Sequence, residues 1–506
     1  MFIRQKKNST GSISVQVIDK SSGRYCVLKT IGSSSDKVVI KNFVSQGKQY
    51  ILTLTKQSSL DLLFGDDTHF YNSVYENIES IQLLGPELVL GKLFDEIGFN
   101  KINDDLFRHL VIARLIYPVS KLKTLDYLLK YKGIVYEKDQ VYRYLDKLHK
   151  EQIARVGQIS YNHTVKILRA DISIVFYDVT TLYFESEDED DLRKTGFSKD
   201  GKHQQPQIVL GLLVSAGGYP LDYEIFEGNK FEGHTMLPVI EVFKKKHQLQ
   251  QLTIVADAGL MSNKNIEQLL ENNYQFIIGA RIKNETHELQ KQILAHPLKD
   301  GESISINKTD SIRLIISYAV SRAKNDEHNR KRGLTKLEKA LQKGKLTKQH
   351  INNKGYNKYL KLTGDVHIEI DYEKFKTDKK WDGLKGYITN TGLDKQTIIE
   401  HYKQLWQIEK TFRISKTDLR IRPIYHQLKR RIEAHICIAF AACKVYKELE
   451  RQLKEKKSTL SPEKIIDILK TIYGINLKLP QSQQTKLMLL DKTQEQKDVL
   501  TLFKIA

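Results

Sequence analysis

The chain has 506 residues, too many for one hydrophobic core, so several domains are expected. Three scattered cysteines, Cys26, Cys437 and Cys443, exclude a disulfide framework or a zinc module, and no apolar run approaches the ~20 residues of a membrane span. A net charge of +20 is not needed for folding and points to an anionic partner, most often nucleic acid. The start, MFIRQKKNSTGSIS, has no apolar stretch of the secretory kind, so a cytoplasmic location with reduced thiols is expected.

Residues 1–80 read as a small β-rich unit. Alternating segments at Ser12–Ile18, Arg24–Thr30, Lys37–Phe43 and Gln49–Thr55, with Gly23 and Gly47 at turns, predict antiparallel strands. Residues 81–168 are helical by pattern. Pro86 opens a helix that Gly98 closes, Asp104–Tyr117 stops before Pro118, and Ser120–Tyr131 and Lys138–Lys147 follow. Basic positions such as Arg108, Arg114, Lys121, Lys123, Arg143 and Lys147 suit the outer face of a helix-turn-helix DNA reader. A helical spacer packed on the next domain is the alternative.

From Ile172 the pattern changes. Ile172–Tyr177 is an apolar run fit for a strand buried on both faces, with Asp178 at its end. Six acids within Glu185–Asp191 read as a solvated loop. Gln207–Ser215 and Tyr219–Glu227 form a predicted hairpin about Gly217 and Gly218. A helix His234–His247, a strand Leu252–Ala256 ending at Asp257, a helix Asn265–Asn272 and a strand Gln275–Ala280 complete a mixed α/β sheet. Both acids then fall at carboxyl ends of central strands, where such sheets place sites.

Residues 281–380 read as a basic β-rich insertion, with strands at Ile312–Val320 and Val366–Ile370 around a short helix Leu334–Gln342. Within it, Arg322–Lys361 carries thirteen Lys or Arg against three acids, which suits closure over a polyanion; a solvated charged hairpin is the alternative. After a last strand, Gly386–Asn390, a helix is predicted from an Asp394 cap to the residue before Pro423. On it Tyr402, Glu409 and Lys416 recur every seven residues, beside a seam of Leu405, Phe412 and Leu419. A long helix His426–Lys457 follows, with Ile432, Ile436, Ala439, Phe440, Cys443 and Leu449 inward. Residues 458–506 form a helical tail beginning at Pro462–Tyr473.

Asp178, Asp257 and Glu409 are the chemical candidates. Phosphoryl transfer to DNA calls for two divalent ions held ~3.5–4 Å apart. Carboxylates without Cys or His are the donors that hard ions such as Mg²⁺ prefer. The two tryptophans, Trp381 and Trp406, are expected in the core, Trp406 above all; a flipped terminal base stacked on Trp381 is the functional alternative. His203 and His234 read as local hydrogen bonders.

These residues carry a resemblance. YDVTTLYFE around Asp178, ADAGLMS around Asp257, and the run from Tyr402 through LRIRPIYH to RIEAHICIAF resemble bacterial insertion-sequence transposases of the DDE class, in the branch with a Tyr-Arg-Glu-Lys signature and a β-strand insertion. Tyr402, Glu409 and Lys416 match the signature; its Arg position holds Leu405, and Lys410 or Arg413, one turn from Glu409, would supply a cation instead. The resemblance implies a ribonuclease H-like domain over residues 169–280 and 381–457, interrupted by the insertion 281–380. It implies that Asp178, Asp257 and Glu409 bind two Mg²⁺ ions, with Mn²⁺ able to substitute, and that Tyr402 and Lys416 hold phosphates. The reaction implied is excision at terminal inverted repeats in double-stranded DNA and strand transfer into target DNA, by a homodimer at the bacterial nucleoid. A nuclease without strand transfer and a silent DNA-binding derivative are the alternatives.

Overall fold

The computed structural model describes residues 1–55, 74–169, 172–198, 201–260, 262–352, 355–363, 367–479, 482–490 and 492–505. It divides into two compact units, residues 1–80 with 475–488 and residues 81–474 with 489–506.

In the first unit β1 (Phe2–Lys7), β2 (Ile13–Asp19) and β3 (Cys26–Ser34) pair antiparallel. The expected strands Lys37–Phe43 and Gln49–Thr55 are instead one helix, Lys37–Thr55. Its β-branched residues suggested strands, but tertiary packing overrides that preference. Ile40 and Gly47, seven apart, are both buried, as on one helix face. The ring of Phe43 lies so close over Gly32 that a side chain there would collide with it. Strand β4 (Ile78–Leu83) joins strands Tyr473–Lys478 and Thr485–Leu489 in a three-stranded sheet. The tail is therefore not all helical: helix Pro462–Leu469 stops short of Tyr473, and Gln494–Leu502 is helical again.

The second unit begins with the expected helices, Lys92–Ile97, Asp105–Ile116 (capped by Asp104), Lys121–Lys132 (capped by Ser120) and Lys138–Lys147, followed by Ile153–Leu168. The basic residues expected on their outer faces divide. Arg108 is paired with Glu87 and Asp95, and Lys147 with Asp104. Arg114 and Lys121 are buried.

An eight-stranded mixed sheet follows, the α/β architecture expected of a ribonuclease H-like domain. Its strands are β5 (Ile174–Tyr183), β6 (Gln207–Ser215), β7 (Pro220–Glu227), β8 (Thr253–Ala256), β9 (Gln275–Ala280), β10 (Ser303–Asn307), β11 (Arg313–Tyr318) and, after a separate ribbon of β12 (Leu360–Thr363) and β13 (His367–Ile370), β14 (Leu384–Thr389). Across the sheet the order is β10-β11-β14-β9-β8-β5-β6-β7, with β5, β8 and β9 parallel. Both faces are covered. Phe176 and Leu182 of β5 belong to one core, with Ile398, Ile408 and Ile432 from later helices. Val175, Tyr177 and Val179 belong to the other, with Val239 and Phe243. That double burial explains the unbroken apolar runs in the sequence.

Three further expectations are corrected. Strand β5 does not end at Asp178; hairpin partner β6 extends the ladder to the pair Tyr183–Gln207, so Asp178 lies within the strand. The segment 281–380 is not mainly β-rich. β10 and β11 belong to the large sheet, and the short helix expected at Leu334–Gln342 is a 23-residue helix, Val320–Gln342. With β12 and β13 it encloses a small core of Leu337, Tyr359, Leu360 and Ile370. Val366, the expected start of β13, lies outside the described residues.

The single helix expected from Asp394 to Pro423 is also broken. Asp394 caps as expected, accepting from the Gln396 and Thr397 amides at 2.9 and 3.0 Å. The chain then makes a helix Lys395–Lys403, a bend at Gln404–Leu405, a helix Trp406–Arg413 and a wide turn Ile414–Asp418. The first piece packs on β8 and β9, the second on β5 and β6. A straight rod cannot follow four strands of a twisted sheet, so the helix breaks between them. The long helix that follows, Lys429–Glu455, starts later than expected but buries all six residues read as inward.

Candidate active site

Strand β8 stops at Ala256 and Asp257 is the next residue. Ala256 pairs in parallel with Tyr177, so Asp178 and Asp257 occupy the following position on neighbouring strands. Alternation along β5 places Asp178 on the face of Phe176 and Leu182, the face that helix Trp406–Arg413 covers. Its Oδ1 accepts from the Val179 amide at 2.8 Å.

Asp257 and Glu409 line one cavity of about 560 Å³, together with Arg322, Lys385, Tyr402 and Trp406. The Tyr402 hydroxyl donates to Asp257 Oδ1 at 2.9 Å and crosses Gly279 so closely that a side chain there would displace it. Burial, then the charge of Asp257, push the Tyr402 phenol well above its ordinary value, so it stays a donor. Lys385 Nζ stands 4.4 Å from the centre of the Tyr402 ring. Burial and the neighbouring Arg322 pull the Lys385 ammonium down, opposed by Asp257 and Glu409. Lys385 therefore feels both acids at once.

The carboxylates suit a hard divalent ion in kind. Among the described residues, however, no three His, Cys, Asp or Glu stand together as a metal cluster. The structure brings Asp257 and Glu409 to one cavity and sets Asp178 beside Asp257 in the sheet, without closing the three acids on one point.

The expected phosphate-binding cations lie elsewhere. Lys410 is turned away to pair with Glu450. Arg413 is exposed and Lys416 half-buried in the wide turn; neither lines the cavity. Leu405, at the position the signature gives to Arg, is apolar lining. The positive charges in the cavity are Arg322, Lys385 and Lys403, none of them a candidate from the sequence. Arg322 stood out only as the first residue of a basic run. Lys385 lies one residue before the strand predicted from Gly386; the strand in fact starts at Leu384, and alternation from Tyr387 puts Lys385 on the same face. The tryptophan expectation is reversed in part. Trp381 is 6% exposed and packs in the second core, so no base stacks on it as it stands, whereas Trp406 is 50% exposed at the cavity. His203 does act locally, accepting from the Ser198 amide at 3.3 Å.

Residues 169–443 match the family described as the transposase DDE domain. No curated protein matches the chain. Among solved structures, the chain is similar to the cryo-EM structure of a piggyBac transposase synaptic complex with hairpin DNA, at 9% identity and a TM-score of 0.37, over 77% of this chain and 79% of that one. No described helix is long and apolar enough to cross a membrane.

Proposed function

The chain belongs to the transposase DDE-domain family, and from that premise we propose that it cuts an insertion sequence out of double-stranded DNA and joins it to target DNA. The observation that carries the reading is one cavity holding Asp257 and Glu409 with three cations, Arg322, Lys385 and Lys403, and no ion pair among these five residues. Asp178, Asp257 and Glu409 are the proposed catalytic carboxylates and would hold two divalent ions, Mg²⁺ or Mn²⁺. Such ions, when bound, supply Lewis-acid stabilisation of the charge that builds on a phosphate under attack. The protein's own groups do the rest. Tyr402 fixes the orientation of Asp257 through its hydroxyl. Lys385 and Arg322 offer positive charge to a phosphodiester. Trp406 gives a flat surface at the rim for an unpaired base. In this reading the substrates are terminal inverted repeats and target DNA, the active form is a homodimer that pairs two ends, and Lys416 meets flanking phosphate outside the cavity.

The test uses the purified full chain with Mg²⁺, a labelled duplex ending in the inverted repeats that flank the gene, and a plasmid target. Cleavage at the repeat end and labelled strands joined to the plasmid are expected, both lost on chelation. Fragments without joined strands would make the protein a nuclease. Uncut DNA, bound by folded protein, would make it a silent DNA-binding derivative.

A further inference from the structure

A second cavity, of about 570 Å³, lies between the first helices of the larger unit and the segment that follows the Glu409 helix. It shares no lining residue with the acidic cavity. Arg114, Lys121, Arg420, Arg422, His426 and His435 line it, and no acid does among the described residues. Arg114 is 4% exposed and Lys121 5%, and neither has a hydrogen-bond or ion-pair partner among the described residues. An uncompensated buried cation is among the least stable arrangements a fold can hold. Burial alone pulls Arg114 down to about 10, and burial together with Arg114 lowers Lys121. Neighbouring cations outside the cavity are treated differently: Arg430 and Arg431 are both held by Asp146.

Other features turn the same pocket toward an anion. The helix Lys121–Lys132 begins at its wall, with Ser120 and Lys121 both lining it, so the positive end of that helix faces in. His435 Nε2 donates to the Ile421 carbonyl at 2.9 Å, and burial keeps the ring neutral, so its Nδ1 is an acceptor and the donors left for an anion are Arg114 and Lys121. The segment carrying Arg420 and Arg422 is tied to the strand of Asp178: the Ile424 amide donates to the Tyr183 carbonyl at 3.1 Å, and Ile424 bridges Phe184. Whatever seats in the pocket is therefore registered to the far end of β5.

We infer that this cavity is a second binding site for DNA, in which Arg114 and Lys121 take a backbone phosphate of the duplex and Arg420 and Arg422 guide the strand across its mouth. The inference rests on the DNA-processing reading above, and it turns two residues first assigned to an outer helix face into the floor of a phosphate pocket. Free phosphate shares the chemistry, so the test separates the two sources.

Binding of a labelled duplex by the full chain is measured across ~50 to ~200 mM salt, for the unaltered protein, for the double variant Arg114→Met/Lys121→Met, and for Arg420→Ala, at an exposed side chain. The double variant is expected to bind at least about tenfold more weakly, with a salt slope shallower by about two, and Arg420→Ala with a slope shallower by about one. Its melting temperature without DNA is expected to hold or rise, because two unpaired charges leave the interior. Unchanged affinity and slope in both variants overturn the site. So does a protective effect of inorganic phosphate that both variants lose while duplex binding stays intact, since the pocket then takes a free anion. No duplex binding by the unaltered chain sinks the transposase reading and this site with it, whereas binding that the variants leave untouched sinks this site alone.

Discussion

The helix Lys429–Glu455 and the acidic cavity both gather charge, and they treat it in opposite ways. On the helix every buried charge has a partner. Lys444 donates to the Ser160 carbonyl at 3.0 Å and to Thr164. Lys447 and Lys410 both reach Glu450, and Glu448 accepts two hydrogen bonds from Arg451 and one from the Tyr219 hydroxyl. In the cavity, Glu409 and Arg322 make no hydrogen bond or ion pair among the described residues, and Asp257 is met only by Tyr402. Charge that holds a fold together is neutralised inside it. In the cavity it is left open, which is the arrangement the proposed catalytic role calls for.

The contrast can be broken at either end. The largest effect is expected from Asp257→Asn, which keeps the shape of the cavity but removes the charge that the proposed function assigns to metal binding. Cleavage should fall by on the order of 10³-fold, about 4 kcal/mol in barrier, with duplex affinity and melting temperature unchanged. A fall in melting temperature instead would show Asp257 to be structural. Glu450→Ala should do the reverse. It strands Lys447 and Lys410 and should cost about 3 kcal/mol of stability, read by thermal or denaturant unfolding.

Burial pushes the Glu450 carboxyl up, but hydrogen bonds from Lys410 and Lys447 outweigh it and hold the group below its ordinary value of 4.5. A lowered folded value means that the unfolded chain takes up the proton first. The stabilisation from Glu450 is therefore whole above about pH 4.5 and is lost as the pH falls through the folded value. Unfolding measured from pH 7 down to pH 3 should show that loss in the unaltered chain and a shallower fall in Glu450→Ala. The smallest effect is expected from Arg322→Ala. It should weaken duplex binding by about tenfold and flatten the salt slope by about one, while stability stays within about 0.5 kcal/mol. A larger drop in stability would place Arg322 with the structural charges of the long helix.

Much of this was legible in advance where a local rule operates. The hairpin of β6 and β7 is announced by Gly217 and Gly218, the helix starts by Asp104 and Ser120, one helix cap by Asp394, and the doubly buried strands by their unbroken apolar runs. Failures came where packing against a distant segment overrode the local signal. Lys37–Thr55 is helical because Ile40 and Phe43 must reach the small sheet. The helix after Asp394 breaks because its two halves lie on different strands.

By itself the sequence determined the α/β class and the strand runs that carry Asp178 and precede Asp257, since unbroken apolar runs and turn residues are written locally. Only the tertiary structure decided which cations accompany the acids, and it chose Arg322, Lys385 and Lys403 over Lys410 and Arg413. It alone showed that Arg114 and Lys121 turn inward. The physical reason is common to both cases: a side chain's partner is set by how helices and strands far apart in the chain cross, and no periodicity within one segment encodes that crossing.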